Sequence, residues 1–204
     1  IIVVNNASTD RTAEIASSFQ NVTVVTELKK GLTFARQKGL ETAKGDLIAW
    51  IDADTRVSKD WFAKVIQAFS RDETLVCLSG PYDYYDLDGW KKQCVRGYWN
   101  FLAYPTYRVT QCMVVGGNFV TKKSALITIG GFDTSIEFYG EDTNIAKRLK
   151  NIGNVLFDFT FIAQTSARRL ESQGLLKTAA LYMTNYVTQA ALKKTVTHSY
   201  TDIR

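Results

Sequence analysis

Short apolar runs alternate with longer stretches of mixed polarity along the first 80 residues. The runs Ile1–Val4, Val22–Val25, Leu47–Ile51 and Leu75–Leu78 read as strands, because each is short, apolar and bounded by turn or charged residues. Between them, apolar residues recur at helical spacing. Ala13, Ile15, Ala16 and Phe19 predict a short helix with Ser8 or Thr9 as cap. Leu32, Ala35, Leu40 and Ala43 predict a second helix, opened by Gly31 and closed by Gly45. Trp61, Phe62, Val65, Ile66 and Phe69 predict the buried side of a third, with Ser58 as N-cap. Strand–helix alternation of this kind predicts an α/β fold with a mostly parallel sheet flanked by helices. Ligands of such sheets bind beyond the carboxyl ends of the strands, where Asn5, Asn6, Asp52 and Asp54 fall.

The second half is less regular. Tyr82–Gly89 is acidic, aromatic and turn-like. Lys91–Tyr107 reads as a helix on the sheet, with an exposed face towards a membrane or an acceptor as the alternative. Met113–Val120 predicts a strand broken by Gly116 and Gly117, Ser124–Ile129 a short helix, and Gly130-Gly131 a tight turn. Glu141 and Asp142 open a helix that continues through Ile145, Ala146, Leu149 and Ile152. Acids there are stabilised by the helix dipole, which accounts for both without any catalytic role. Asn154–Phe157 and Phe161–Thr165 predict two further strands, and the stretch from Gly174 to Val196 a partly amphipathic helical extension. Neither a repeat nor a Pro-rich linker divides the chain, so one domain is expected over residues 1–204.

The 204 residues, 46% hydrophobic and 22% charged, suffice for one substantial core. The net charge of +5 is mild and spread, as suits phosphorylated ligands or an anionic membrane surface. No nucleic-acid reader motif is present, and nucleic acid is not an expected partner. Cys77, Cys94 and Cys112 are odd in number and lack zinc spacing, so free thiols in a reducing, cytoplasmic compartment are expected. Because Ile1 is already in a strand, sequence before it is expected to be missing, and with it a central strand.

Asp52 and Asp54 carry the candidate chemistry. In an extended strand they would point the same way, and a divalent cation would relieve their repulsion. The competing reading makes Asp54 a helix cap and Asp52 a solvated strand end. His198 reads as a surface residue of a polar tail, and Trp50 and Trp61 as core. Trp90 and Trp99, in the irregular half, are candidates for stacking on a bound ligand.

Taken in order, Asn5-Asn6-Ala7-Ser8-Thr9-Asp10-Arg11-Thr12, Ala35-Arg36-Gln37-Lys38-Gly39, Gly45-Asp46 with Asp52-Ala53-Asp54, Gly130-Gly131-Phe132-Asp133 and Gly140-Glu141-Asp142 resemble the family 2 glycosyltransferases. The resemblance covers Ile1 to about Arg169. It implies the GT-A (Rossmann-like) fold and an inverting transfer of a sugar from a nucleoside-diphosphate sugar to an acceptor hydroxyl. It implies nucleotide-sugar contacts at Asn5, Asn6, Asp10, Arg36, Asp52 and Asp54, with Mg²⁺ or Mn²⁺ chiefly on Asp54 and secondarily on Asp52. Arg168 and Arg169 are further candidates for nucleotide-sugar contacts, at the diphosphate, because guanidinium forks match phosphate oxygens; a surface ion pair or solvated charge is the competing reading. Asp142 would be the general base, with Glu141 beside it. Gly117 and Asn118 are candidates for the acceptor site, with Asn118 as a turn residue the competing reading. On this reading residues 1–80 hold the UDP- or GDP-sugar, 81–170 face a carbohydrate or lipid-linked acceptor, and 171–204 form a helical tail. A role in cell-envelope polysaccharide or glycolipid synthesis is expected, with peripheral contact at the inner face of the membrane.

Two departures limit the likeness. Asn5 stands where the family often has Asp. Gln164-Thr165-Ser166-Ala167-Arg168-Arg169 lacks the Gln-x-x-Arg-Trp pattern of processive members. The alternatives are a catalytically silent nucleotide-sugar-binding fragment and a sugar-1-phosphate nucleotidyltransferase.

Overall fold

The computed structural model describes residues 1–136 and 138–174, with residues 178, 181 and 184. Most of the tail expected over 171–204, and His198 with it, lie outside the described residues.

Strands β1 (Ile2–Asn6) and β2 (Thr23–Glu27) pair in parallel, linked by the short helix α1 (Thr12–Ser17). Neither Ser8 nor Thr9 caps α1. Asp10 accepts the Thr12 N–H (3.0 Å) instead, its carboxylate favoured at the positive helix end. Helix α2 (Leu32–Thr42) follows and packs on β1. Gly39 lets it approach, since a Cβ there would come within 3.3 Å of the Trp50 ring.

A four-stranded sheet has the order β3 (Leu47–Ile51), β7 (Asn118–Lys122), β5 (Leu75–Ser79), β8 (Asn154–Phe157). Three of these strands run one way, as the alternation predicts. β7 runs against both β3 and β5, with Trp50 opposite Phe119. A three-stranded sheet has the order β4 (Arg56–Val57), β9 (Ala163–Thr165), β6 (Tyr82–Tyr84). β6 occupies the stretch expected to be turn-like; pairing with β9 holds Tyr82 and Tyr84 extended. The strand expected over Met113–Val120 begins only at Asn118.

Helix α3 (Trp61–Arg71) starts after Asp60, not Ser58. It buries Trp61 and Val65 but leaves Phe62 and Ile66 exposed, so the buried stripe is narrower than the apolar spacing suggests. The Lys91–Tyr107 stretch forms α4 (Gly89–Gly97), a π-helical turn (Tyr98–Ala103) and α5 (Tyr104–Thr110). α6 (Lys123–Thr128), α7 (Glu141–Lys150) and α8 (Arg168–Gln173) complete the described elements. The main core joins Trp50, Phe119, Leu126, Phe132, Ile145 and Leu149. It joins β3, the start of β7 and the body of α7 in one region.

Candidate functional site

β3 loses its sheet partner after Ile51, the residue opposite Asn118. The chain then turns, with the Thr55 N–H donating to the Asp52 carbonyl at 2.9 Å. Asp52 and Asp54 therefore leave an extended strand behind, and each acquires a separate neighbour. The Asp52 carboxylate lies 3.4 Å from the Tyr82 hydroxyl and 3.8 Å from the Arg36 guanidinium. Asp54 accepts from Arg168 at 2.8 Å and from the Thr165 hydroxyl at 3.4 Å. That contact holds the Arg168 pKa above its ordinary value. The capping reading of Asp54 is excluded, because α3 begins seven residues later, at Trp61.

Gly140 has φ 83°, a left-handed conformation that glycine adopts at no steric cost, and it starts α7 with Glu141 and Asp142 in the first turn. Glu141 is 6% exposed and forms a buried ion pair with Arg36, which also donates to the Gly116 carbonyl. The guanidinium sits 5.5 Å from the Phe119 ring centre. Burial works against the charge of Arg36, but the carboxylates of Glu141, Asp52 and Asp142 outweigh it and raise its pKa. For Glu141, burial wins over the attraction of Arg36 and pushes the carboxyl up to about 7. Its second oxygen, Oε2, is buried without a hydrogen-bond partner. Asp142 is half-buried and takes the Thr143 N–H at 2.8 Å; burial raises its pKa as well.

These groups line one cavity of about 680 Å³. Asp52 and Asp54 come from the turn after β3, Arg36 from α2, Tyr82 from β6, Gly116 and Gly117 from the approach to β7, Glu141 and Asp142 from α7, and Arg168 and Arg169 from α8. Arg169 stacks over Phe138 at 4.5 Å. Gly117 is glycine because a Cβ there would overlap the Tyr82 hydroxyl and the Asp52 carboxylate. Trp90, Tyr98 and Trp99 form an aromatic wall, with the Trp99 indole anchored on the Tyr82 carbonyl at 2.9 Å.

Four expected site residues lie elsewhere or act differently. Asn118 is 0% exposed and does not line the cavity. Its carbonyl oxygen accepts from the Trp61 indole, and its NH₂ donates to the Gly80, Pro81 and Phe161 carbonyls, leaving nothing for an acceptor sugar. Asn6 likewise spends its NH₂ on the Glu27 and Lys29 carbonyls and its oxygen on the Gly31 N–H, and so fixes the start of α2. Asn5 accepts from the Ser8 N–H at 3.3 Å, and neither Asn5 nor Asp10 lines the cavity. Tyr82 and Thr165 were not singled out from the sequence. Their only signal was an aromatic, acidic stretch for one and a strand end for the other.

A family model described as glycosyl transferase family 2 matches residues 1–130. The chain belongs to that family. YdaM, a probable glycosyltransferase of Bacillus subtilis, is 25% identical over 176 residues, 75% of this chain and 39% of that protein. A glucosyl-dolichyl phosphate glucuronosyltransferase of Haloferax volcanii is 25% identical over 120 residues, 52% of this chain and 36% of that protein. Among solved structures, a Pyrobaculum calidifontis mannosyltransferase in complex with GDP-Man and Mn²⁺ superposes with TM-score 0.67 at 19% identity, covering 93% of this chain and 54% of that one. S. aureus TarS 1–349 with UDP-GlcNAc gives TM-score 0.55 at 16% identity, covering 81% and 46%. This family 2 chain therefore has the GT-A fold. It spans between 18% and 39% of the length of the curated relatives it matches.

Two of the acids in this family 2 cavity suit a hard divalent cation. Mg²⁺-type sites combine one or two carboxylates with water and substrate phosphate, and Asp52 and Asp54 supply two carboxylates facing open cavity. No group of three or more His, Cys, Asp or Glu that could hold a metal occurs among the described residues.

Proposed function

We propose that this chain carries an inverting hexosyl transfer from a UDP- or GDP-sugar to a hydroxyl of a carbohydrate or lipid-linked acceptor, in making cell-envelope polysaccharide or glycolipid. The observation that carries the reading is the convergence of Asp52, Asp54, Asp142 and Arg168, from three segments distant in sequence, on one cavity. The ligands of solved neighbours agree in kind: one is a complex with GDP-Man and Mn²⁺, another with UDP-GlcNAc.

Asp54, with Asp52, would hold Mg²⁺ or Mn²⁺ against the diphosphate. When bound, the cation supplies Lewis-acid stabilisation of the charge that grows on the leaving group. Arg168 neutralises Asp54 in its place and is positioned to turn to the diphosphate once that carboxylate is otherwise engaged. Asn5, at the end of β1, and Asp10, in the turn after it, lie outside the cavity lining and are not part of the proposed donor site.

Asp142 is the proposed general base. Glu141 is a poorer one, since its carboxylate is tied to Arg36. Asp142 lines the cavity, and burial raises its pKa above the ordinary aspartate value, which makes its carboxylate a stronger base. It would take the acceptor hydroxyl proton as the oxygen attacks the anomeric carbon from the face opposite the diphosphate, which inverts that centre. Calorimetric titration with UDP and with GDP, with and without Mn²⁺, tests the donor side. Mn²⁺-dependent binding that Asp54→Ala abolishes is expected; Mn²⁺-independent binding unchanged in Asp54→Ala would refute the assignment.

A further inference from the structure

Asp54 already carries a cation of the chain's own. The Arg168 guanidinium donates to its Oδ2 at 2.8 Å, and the Thr165 hydroxyl reaches its Oδ1 at 3.4 Å. Asp52 has a second arginine, Arg36, at 3.8 Å. The two carboxylates that suit a divalent cation are thus matched by two guanidiniums. Their attraction for a further positive charge is largely cancelled.

The two arginines are not held alike. Arg36 is almost wholly buried, paired to Glu141 and bonded to the Gly116 carbonyl, so it stays with Asp52. The Arg168 side chain is 59% exposed and lines the open cavity. What is fixed at Arg168 is the chain that carries it. Asp86 accepts the Ser166 hydroxyl at 2.5 Å and the Ala167 N–H at 2.6 Å, directly after the end of β9 at Thr165. A guanidinium on a long stem, rooted in a pinned segment, can change partners while its backbone stays in place. Its fork matches phosphate oxygens as well as it matches a carboxylate.

We propose that Arg168 is an exchangeable internal counter-ion that competes with a divalent cation for Asp54, so that cation and diphosphate bind well only together. Arg168 must give up Asp54 for water when a cation binds alone. With a diphosphate present, it exchanges the carboxylate for phosphate oxygens. By linkage, each ligand then raises the affinity for the other by the same factor. The exchange with a diphosphate rests on the transferase reading; the competition at Asp54 does not.

The test is Mn²⁺ titration of the whole chain, read from the electron paramagnetic resonance signal of free Mn²⁺, alone and with UDP or GDP. Without nucleotide, Arg168→Gln should bind Mn²⁺ about three- to fivefold more tightly than the wild type, the most that a half-exposed ion pair withholds. The gain should vanish in Arg168→Gln/Asp54→Asn. Arg56→Gln removes an exposed cation two residues from Asp54, one that stacks on Tyr85 instead, and should leave Mn²⁺ affinity within about twofold of the wild type. The factor by which UDP or GDP raises Mn²⁺ affinity should fall about three- to fivefold in Arg168→Gln. Unchanged or weaker Mn²⁺ binding in Arg168→Gln, a gain that survives the loss of Asp54 or recurs in Arg56→Gln, or an undiminished nucleotide effect would overturn the proposal. A Mn²⁺ gain in Arg168→Gln with no binding of UDP or GDP to any variant would sink the donor reading and leave the competition at Asp54 standing.

Discussion

Replacing Arg36 with methionine probes the centre of the cavity through stability, without any substrate. Arg36 and Glu141 are almost wholly buried, and removing one partner of such a pair costs about 3–5 kcal/mol because the other charge is left uncompensated. Near this chain length each kcal/mol lowers the melting temperature by about 2–4 °C, so a drop of about 6–20 °C is expected for Arg36→Met at about pH 8.5. Glu141 has an escape. Burial already holds its pKa at about 7, and loss of the cation moves it higher, so at about pH 6 the carboxyl takes a proton and the charge disappears. What then remains is the orphaned Gly116 carbonyl, worth about 1–3 kcal/mol. Arg36→Met/Glu141→Gln should show only that smaller loss near pH 6, and no larger a loss near pH 8.5, where the wild type has already lost the stabilising Glu141 proton. The assay is thermal unfolding followed by circular dichroism in EDTA without nucleotide. Equal losses for Arg36→Met at both pH values, or a double variant as unstable as the summed singles, would refute the ion-pair account.

The wild-type protein carries a related pH signature. Glu141 has a folded pKa of about 7 against a reference of 4.5, so the folded state holds that proton more tightly. Its contribution is complete below about pH 4.5 and is lost as pH rises through about 7, a change of about 3 kcal/mol that Glu141→Gln should abolish in urea titrations across that window. Asn118→Ala strips the Trp61 indole and three carbonyls of their partner, and a loss of about 2–4 kcal/mol is expected in urea unfolding. Weaker acceptor binding at unchanged stability would instead place Asn118 in the acceptor site. Gly117→Ala must push Tyr82 or Asp52 aside, so Mn²⁺-dependent nucleotide affinity should fall by about tenfold or more; wild-type calorimetry from this variant would show that the packing at Asp52 does not matter.

Much of this site could be read in the sequence because its acids stand at element ends. Asp52 and Asp54 close an apolar run, and Glu141 and Asp142 open an amphipathic one; local periodicity places such residues well. Less legible was what each side chain touches. Arg36 sits at a buried position of α2, yet nothing in α2 reveals that Glu141, 105 residues on, is its partner. Asn6 and Asn118 have the residue type of ligand contacts, but long-range backbone groups consume their amides. The inference that Asp52 and Asp54 share one strand face failed because β3 ends at Ile51, where its pairing with β7 stops. The antiparallel β7 was hidden for a similar reason: strand direction is set by the chain's path between strands, which apolar runs do not encode.

The central claim is that the acids at the start of α7 act on the acceptor while those after β3 hold the donor. Release of nucleoside diphosphate from a panel of UDP- and GDP-sugars, measured with Mn²⁺ and acceptor for the wild type and Asp142→Asn alongside donor affinity, tests it most directly. The account predicts donor affinity unchanged in Asp142→Asn and transfer slowed by about 10²-fold or more. Wild-type transfer from Asp142→Asn, or loss of donor binding with transfer, would contradict it.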